Sequence, residues 1–254
     1  MKNVWTIASR DFKSYFFSPV AYIVIAGFLT LMGFMFFNIL SYFIGQNMQA
    51  MQMNIGKGTS ITEGVVSPLY GNMNVILLFM VPFITMRLLA EERKNSTIQL
   101  LIAAPVTVTE IILGKFLSSL LLVMVMLALT LVYPVVLAVT GNPDLGPIFM
   151  SYLGTVLLAG CYLSFGLLFS AMTENQIVAG ALTFAFCLFF WLINWAAQSV
   201  GSTWGEILNY LSIIRHFESF SRGVLNTTDV IFFLSFIGLG LFLTHRVLDS
   251  FRWR

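Results

Sequence analysis

Long runs of apolar residues without charge dominate the chain and predict membrane-spanning helices. A helix needs about 20 mostly apolar residues to cross the hydrocarbon core of a bilayer. Six windows fit this requirement, so we expect spans at about residues 20–44, 71–89, 116–140, 148–172, 177–200 and 230–248. A hinge at residues 174–176 and a turn at residues 141–144 separate runs that would otherwise fuse into overlong spans.

The segment before the first span, about residues 3–17, has an amphipathic pattern instead. Its apolar positions recur at helical spacing, and its basic and polar positions occupy the opposite face. The apolar face contains Val4, Trp5, Ala8, Phe12, Tyr15 and Phe16. This pattern favours a helix that lies in the membrane interface over a disordered basic leader.

A second amphipathic segment, about residues 206–225, separates the fifth and sixth spans. At helical spacing, Phe217 and Phe220 fall on its apolar half, whereas Glu218 and Arg222 fall on its polar half. We expect a helix in the outer interface. It either caps the helix bundle or forms an external gate over a conduit.

Composition excludes an ordinary soluble domain. Of the 254 residues, 58% are hydrophobic and 9% are charged, whereas soluble domains carry roughly 25% charged residues. The net charge of +2 is too small to indicate a nucleic-acid partner. We therefore predict an all-α integral membrane protein, a single domain over residues 1–254, with six transmembrane helices, an interfacial N-terminal helix and membrane lipids as its solvent.

The basic residues predict how this domain is oriented. With six spans and both termini in the cytoplasm, three basic residues lie outside: Lys57, Arg215 and Arg222. The other ten lie on the cytoplasmic side: Lys2, Arg10, Lys13, Arg87, Arg93, Lys94, Lys115, Arg246, Arg252 and Arg254. Because cytoplasmic loops carry an excess of Lys and Arg, this distribution supports the even number of spans and the orientation together.

Nothing in the sequence predicts a catalytic, cofactor or metal site. Neither Gly56-Lys57 nor Gly114-Lys115 is followed by the Ser or Thr of a Walker phosphate loop. The two histidines, His216 and His245, have no second His or Cys at ligand spacing. Ionisable residues are almost absent from the spans, which disfavours an ion-coupled secondary carrier.

The connection between the second and third spans, about residues 91–110, is the most informative segment. Charged residues come first, then a potential helix cap, then a short apolar helix that a proline terminates. The residues in question are Glu91, Glu92, Arg93, Thr97, Leu100, Leu101 and Pro105. A second helix start follows at Thr107 or Thr109 with Glu110. The apolar helix is too short to cross the membrane, so it either packs back on this chain or docks on a cytoplasmic partner.

This segment resembles that of the permease subunits of type-2 ABC exporters. The matching residues are Glu92, Arg93, Thr97, Leu100, Leu101, Pro105, Glu110, Gly114 and Lys115, with Ser96 and Gln99 in place of the usual Gly and Glu. The opening segment 16–22 and the late segment 216–224 are similar to the gliding-motility permease subgroup. The resemblance therefore extends over nearly the whole chain.

The resemblance implies that segment 91–110 is a coupling helix that fits a cleft in a separate ABC ATPase subunit. It also implies a second permease copy, a possible accessory extracytoplasmic subunit and a place in the bacterial inner membrane. We expect ATP hydrolysis in the ATPase to drive substrate movement through this non-catalytic permease. The alternatives are a force-transmitting anchor of a motility or cell-surface assembly, and a secondary carrier or channel.

The predicted orientation is tested by cysteine labelling in intact cells. Cysteines introduced at Lys57 and Asn142 are expected to react with a membrane-impermeant thiol reagent, because both positions lie in external loops. A cysteine at Asn95 is expected to stay unlabelled until the cells are opened. Labelling of position 95 in intact cells contradicts the six-span orientation.

Overall fold

A computed structural model describes residues 2–52, 60–95, 97, 106–141, 143–199 and 202–250. These residues form eleven α-helices and one short π-helix, Thr62–Val66, which leads into α3. The α-helices are α1 (Lys2–Phe17), α2 (Pro19–Gln52), α3 (Ser67–Thr85), α4 (Ala90–Lys94), α5 (Val108–Leu129), α6 (Val132–Thr140), α7 (Leu145–Met172), α8 (Gln176–Ser199), α9 (Ser202–Leu211), α10 (Ile213–Ser221) and α11 (Thr227–Ser250).

Six helical stretches are long and apolar enough to cross a membrane. They are Pro19–Ala50, Thr62–Lys94, Val108–Thr140, Leu145–Met172, Gln176–Ala196 and Thr227–Ser250. The prediction of an all-helical membrane fold with six spans is therefore confirmed. We call the end of the bundle that carries α1 and α4 the basic end and the opposite end, which carries α9 and α10, the distal end.

Prolines set two of the helix boundaries. Pro19, which has no N–H to leave unpaired, begins α2, and the Ser18 hydroxyl accepts a hydrogen bond from the backbone N–H of Val20 (3.4 Å). The third span divides into α5 and α6 at Thr130–Leu131. Pro134 explains this break, since its ring clashes with the carbonyl group four residues earlier, at Thr130.

Helices α3 and α7 form the centre of the bundle. In the most apolar window of each, 67% and 78% of the residues are buried, against 17–33% in the other four spans. Glycines permit this packing: a Cβ atom on Gly154, Gly160 or Gly166 of α7 would lie within 3 Å of Phe220, Ile237 or Thr85, respectively. Close packing through small residues is an expected way for helices to associate in a membrane.

Most polar residues inside the spans hydrogen-bond within their own helix. Asn38, Thr85 and Ser164 donate to carbonyl groups three or four residues earlier. Such local bonds satisfy a hydroxyl or amide without requiring a partner helix. Bonds between elements also occur. The Thr130 hydroxyl lies 3.0 Å from that of Tyr152, and the Tyr133 hydroxyl donates to the carbonyl oxygen of Leu29 (3.4 Å). Asn194 Oδ1 accepts from Ser212 Oγ (3.4 Å).

The amphipathic segment at the distal end forms two helices where we expected one. Ser212 adopts an extended backbone and caps α10, accepting a hydrogen bond from Arg215 N (3.4 Å). After α10, Gly223 takes a positive φ of 79°, a conformation that suits glycine at the end of a helix. The amide groups of Gly223 and Val224 then bond back to Phe220 and Ser219.

Candidate functional site

A buried ammonium group joins three segments at the basic end. Lys115 of α5 is only 4% exposed, and its Nζ lies 2.8 Å from Glu92 Oε1 of α4 and 3.3 Å from Asp11 Oδ2 of α1. A buried lysine is tolerated when carboxylates compensate for its lost hydration. Glu92, at the start of the predicted coupling segment, is therefore in direct contact with Lys115, which follows the end of that segment.

Gly114 lets α1 approach α5 closely. A Cβ atom on this residue would lie 2.7 Å from Ile7 Cγ2 and 3.2 Å from the carbonyl oxygen of Val4. At the start of α5, Thr107 and Glu110 form a capping box, and Asn3 donates to both carboxylate oxygens of Glu110 (3.2 Å each). Gly114 and Lys115 thus have distinct roles, one in close packing and the other in charge pairing.

Helix α4 is attached to the end of α7. The Ser170 hydroxyl accepts hydrogen bonds from the N–H groups of Leu89 and Ala90 (3.0 Å each), which satisfies donors at the start of α4. Arg93 donates to the carbonyl oxygen of Ala171 (2.8 Å) and pairs with Glu174 (3.2 Å). These bonds connect α4 to the hinge between the fourth and fifth spans.

The structure gives the predicted coupling residues different environments. Glu91 is exposed, Glu92 is largely enclosed, and both Thr97 N and Thr97 Oγ1 donate to the carbonyl oxygen of Glu92. Glu92 is therefore not an ordinary solvated surface charge, because the buried Lys115 of another span reaches it. Leu100, Leu101 and Pro105 lie outside the described residues.

Asp11 was not identified from the sequence as a site residue. It lies on the amphipathic helix between Arg10, which it also contacts, and Phe12, and nothing in the local pattern distinguishes it from a surface acid. On the same helix, burial raises the pKa of the Tyr15 phenol well above its usual range, so the Tyr15 side chain stays uncharged. Only the packing of α1 against α5 reveals that Asp11 is a partner of Lys115.

The predicted gate residues at the distal end fall into two pairs. Phe217 and Phe220 are buried, and Phe220 contacts α7 at Gly154. Glu218 and Arg222 are exposed, with Arg222 Nη2 3.9 Å from Glu218 Oε2. The aromatic pair therefore anchors α10 to the bundle, while the charged pair faces away from it.

A buried histidine–aspartate pair connects α10 to α11. His216 Nδ1 lies 2.6 Å from Asp229 Oδ1, and His216 Nε2 lies 2.9 Å from the carbonyl oxygen of Tyr210, the residue before the last in α9. The imidazole also stacks on Phe232 at 4.0 Å between ring centroids. His216 and Asp229 are 6% and 7% exposed. By helical spacing alone His216 falls on the polar half of segment 206–225, and nothing in the sequence indicates this pairing.

The neighbours of His216 determine where its protons lie. A carbonyl oxygen only accepts hydrogen bonds, so Nε2 must carry a proton. If Asp229 is ionised, Nδ1 must carry one as well, and the pair is imidazolium with carboxylate. If Asp229 is protonated, it donates to a neutral ring. In both forms the pair is neutral overall and holds α9, α10 and α11 together.

No group of three or more His, Cys, Asp or Glu side chains is arranged to hold a metal ion within the described part of the chain. The two buried charge clusters are therefore built from ion pairs and hydrogen bonds among the chain's own residues. One joins α1, α4 and α5 at the basic end. The other joins α9, α10 and α11 at the distal end.

Replacing Lys115 tests the basic cluster. Lys115→Met leaves the carboxylates of Asp11 and Glu92 without their shared cation and is expected to destabilise the protein by about 2–3 kcal/mol, less than a fully buried pair because both acids are partly exposed. Thermal unfolding in detergent measures the effect. Lys115→Arg keeps the charge, and Lys13→Met removes an exposed one, so both controls should stay close to wild type. A Lys115→Met variant of wild-type stability contradicts the cluster.

A double-mutant cycle tests the distal pair. His216→Ala and Asp229→Ala are each expected to cost about 3–5 kcal/mol, because each leaves a buried polar partner unpaired. The double variant should cost less than the sum of the two. The matched cycle on Glu218 and Arg222, an exposed pair on the same helix, should show a coupling of about 0.5 kcal/mol or less. Additive effects at His216 and Asp229 contradict the pairing.

Comparison with known proteins gives a family. A search of curated proteins found no match. Residues 5–247 match the family model described as ABC-2 family transporter protein. This match includes the first five spans, the sixth span as far as Val247, α1 from Trp5 onwards, both ends of the predicted coupling segment and both charge clusters. The chain belongs to the ABC-2 transporter family.

Proposed function

We propose that this chain is the non-catalytic permease subunit of an ATP-driven exporter. Family membership implies an ABC ATPase as its partner. The observation that carries the proposal is the contact of Lys115 with Glu92 and Asp11, because it connects the loop expected to meet the ATPase with a membrane span. A separate chain supplies ATP hydrolysis, since no Walker phosphate loop is present in the sequence.

Movement of the coupling segment would reach the spans by two routes. A displacement of α4 acts on α5 and α1 through Glu92, Lys115 and Asp11. It acts on α7 and the start of α8 through Arg93, Ser170 and Glu174. Since α7 lies at the centre of the bundle, closure of a pair of ATPases would shift spans that line a conduit between this chain and a second permease copy.

The distal helices have a complementary role in this proposal. Burial of Phe217 and Phe220 supports a capping function, in which α10 closes the end of the bundle. The exposed Glu218 and Arg222 then form the part of an external gate that a substrate or an accessory extracytoplasmic subunit meets. The distribution of basic residues supports an orientation with both termini cytoplasmic, and the resemblance to type-2 ABC exporters supports placement in a bacterial inner membrane. Similarity to the gliding-motility subgroup is carried by segments 16–22 and 216–224.

Substitution in the apolar part of the coupling segment tests the proposal. Leu101→Asp, and likewise Leu100→Asp, is expected to abolish association with the ATPase, because a carboxylate in an apolar cleft loses hydration without gaining a partner, at a cost of several kcal/mol. Co-purification of the two subunits and ATP turnover of the complex measure the effect. The isolated chain should show no ATP turnover.

Leu225→Asp is the matched control, because Leu225 is 49% exposed at the distal end, far from the coupling segment. It should leave co-purification and turnover at wild-type levels. Full activity of both coupling variants contradicts the proposed docking. If the native chain co-purifies no ATPase at all, the force-transmitting anchor becomes the better explanation.

A further inference from the structure

A cavity of about 440 Å³ lies beside the basic cluster, among α1, α2, α3, α4 and α5. Small-molecule sites typically have volumes of about 300–1,000 Å³, so the cavity has room for a ligand. Its walls divide into a polar part and an apolar part. The polar part includes Asp11, Tyr15, Arg87, Glu91, Glu92 and Lys115.

The apolar part continues along the spans. Val20 and Val24 come from the first turns of α2, Phe83 and Ile84 from the end of α3, and Leu122 from α5. Phe83 is 53% exposed and also faces outward from the bundle. The apolar part of the cavity therefore reaches the protein surface at Phe83, next to the first turns of α2.

Two charged atoms at the polar part lack partners of their own. Arg87 Nε and Glu92 Oε2 are buried and make no hydrogen bond within the described residues. Lys115 balances the charge of Glu92 through Oε1 and also pairs with Asp11 Oδ2, but it makes no hydrogen bond to Glu92 Oε2. Arg87 and Glu92 also line the cavity, so a headgroup with one anionic and one cationic group meets a guanidinium and a carboxylate there.

The charge balance selects the kind of ligand. Three carboxylates and two basic groups line the polar part, so an anionic headgroup would add to an existing excess of negative charge. A zwitterionic headgroup adds no net charge to the cavity. A phosphate suits the guanidinium of Arg87, and a primary ammonium, which retains N–H donors, suits the carboxylate of Glu92.

We propose that this cavity binds one zwitterionic phospholipid with a primary amine, of the phosphatidylethanolamine type. Its phosphate contacts Arg87 and its ammonium contacts Glu92, while its acyl chains leave between α2 and α3 past Phe83. The lipid completes the polar contacts around α1, α4 and α5. It is a resident ligand, and its binding does not depend on the exporter function proposed above.

Lipid titration of the delipidated full chain in detergent tests the site. Phosphatidylethanolamine is expected to raise the melting temperature with saturation at one lipid per chain, counted by native mass spectrometry. Phosphatidylcholine, whose quaternary ammonium has no N–H, and phosphatidylglycerol, which has no ammonium, should bind about tenfold more weakly or worse. Equal effects of the three lipids overturn the proposal.

Arg87→Gln should weaken phosphatidylethanolamine binding by about tenfold or more, because the phosphate loses its charged donor. Arg246→Gln is the matched control: Arg246 also lies at the basic end of a span but is exposed and does not line the cavity. Equal weakening in both variants overturns the proposal.

A photoactivatable phosphatidylethanolamine gives a measurement on the native chain that does not depend on the folding of any variant. Crosslinks are expected on residues 14–24 and 83–92. An even distribution of crosslinks over the outward faces of α8 and α11 would instead indicate ordinary bilayer contact and overturn the proposal.

Discussion

The ammonium group of Lys115 is the point on which the basic end of the molecule depends. A side chain with 4% exposure loses nearly all of its hydration, and within the described residues Asp11 and Glu92 are the carboxylates that pair with its ammonium group. The ion pairs of Lys115 hold both α1 and α4 against α5 at the basic end of the bundle. Gly114, the neighbour of Lys115, makes the same contact sterically possible, because any larger residue would meet Ile7.

The centre of the bundle is held together by close packing, not by charge pairing. Water gives no hydrophobic driving force between helices inside a bilayer, so α3 and α7 associate through close packing at small residues. Gly154, Gly160 and Gly166 lie along one helix and face three different neighbours, α10, α11 and α3. A single helix therefore contacts both the distal cap and the second span, and the bond from Ser170 extends this contact to α4. Helix α7 therefore contacts elements at both ends of the bundle.

The two ends of the molecule use the same device in different surroundings. At each end, buried side chains either carry opposite charges or share a proton. In both cases they join segments that are separate in the sequence. At the basic end, Arg87 and Glu92 line a cavity, and Arg87 Nε and Glu92 Oε2 have no hydrogen-bond partner within the described residues. At the distal end, His216 and Asp229 satisfy each other at 2.6 Å and are enclosed by the rings of Tyr210 and Phe232. The basic end is therefore open to a ligand, whereas the distal pair is closed on itself.

The sequence by itself determined the six spans, the amphipathic α1, the breaks near Pro19 and Thr107, and the family, because apolar length, helical period, capping residues and motif spacing are local properties of the chain. Tertiary structure alone decided the partners of Lys115, the Ser170 bonds to α4, the division of segment 206–225 at Ser212 and the pairing of His216 with Asp229. The paired residues are separated by 104 positions for Asp11 and Lys115 and by 13 for His216 and Asp229. Periodicity assigns a residue to a face of its own helix, but burial and charge pairing depend on which helix packs against that face.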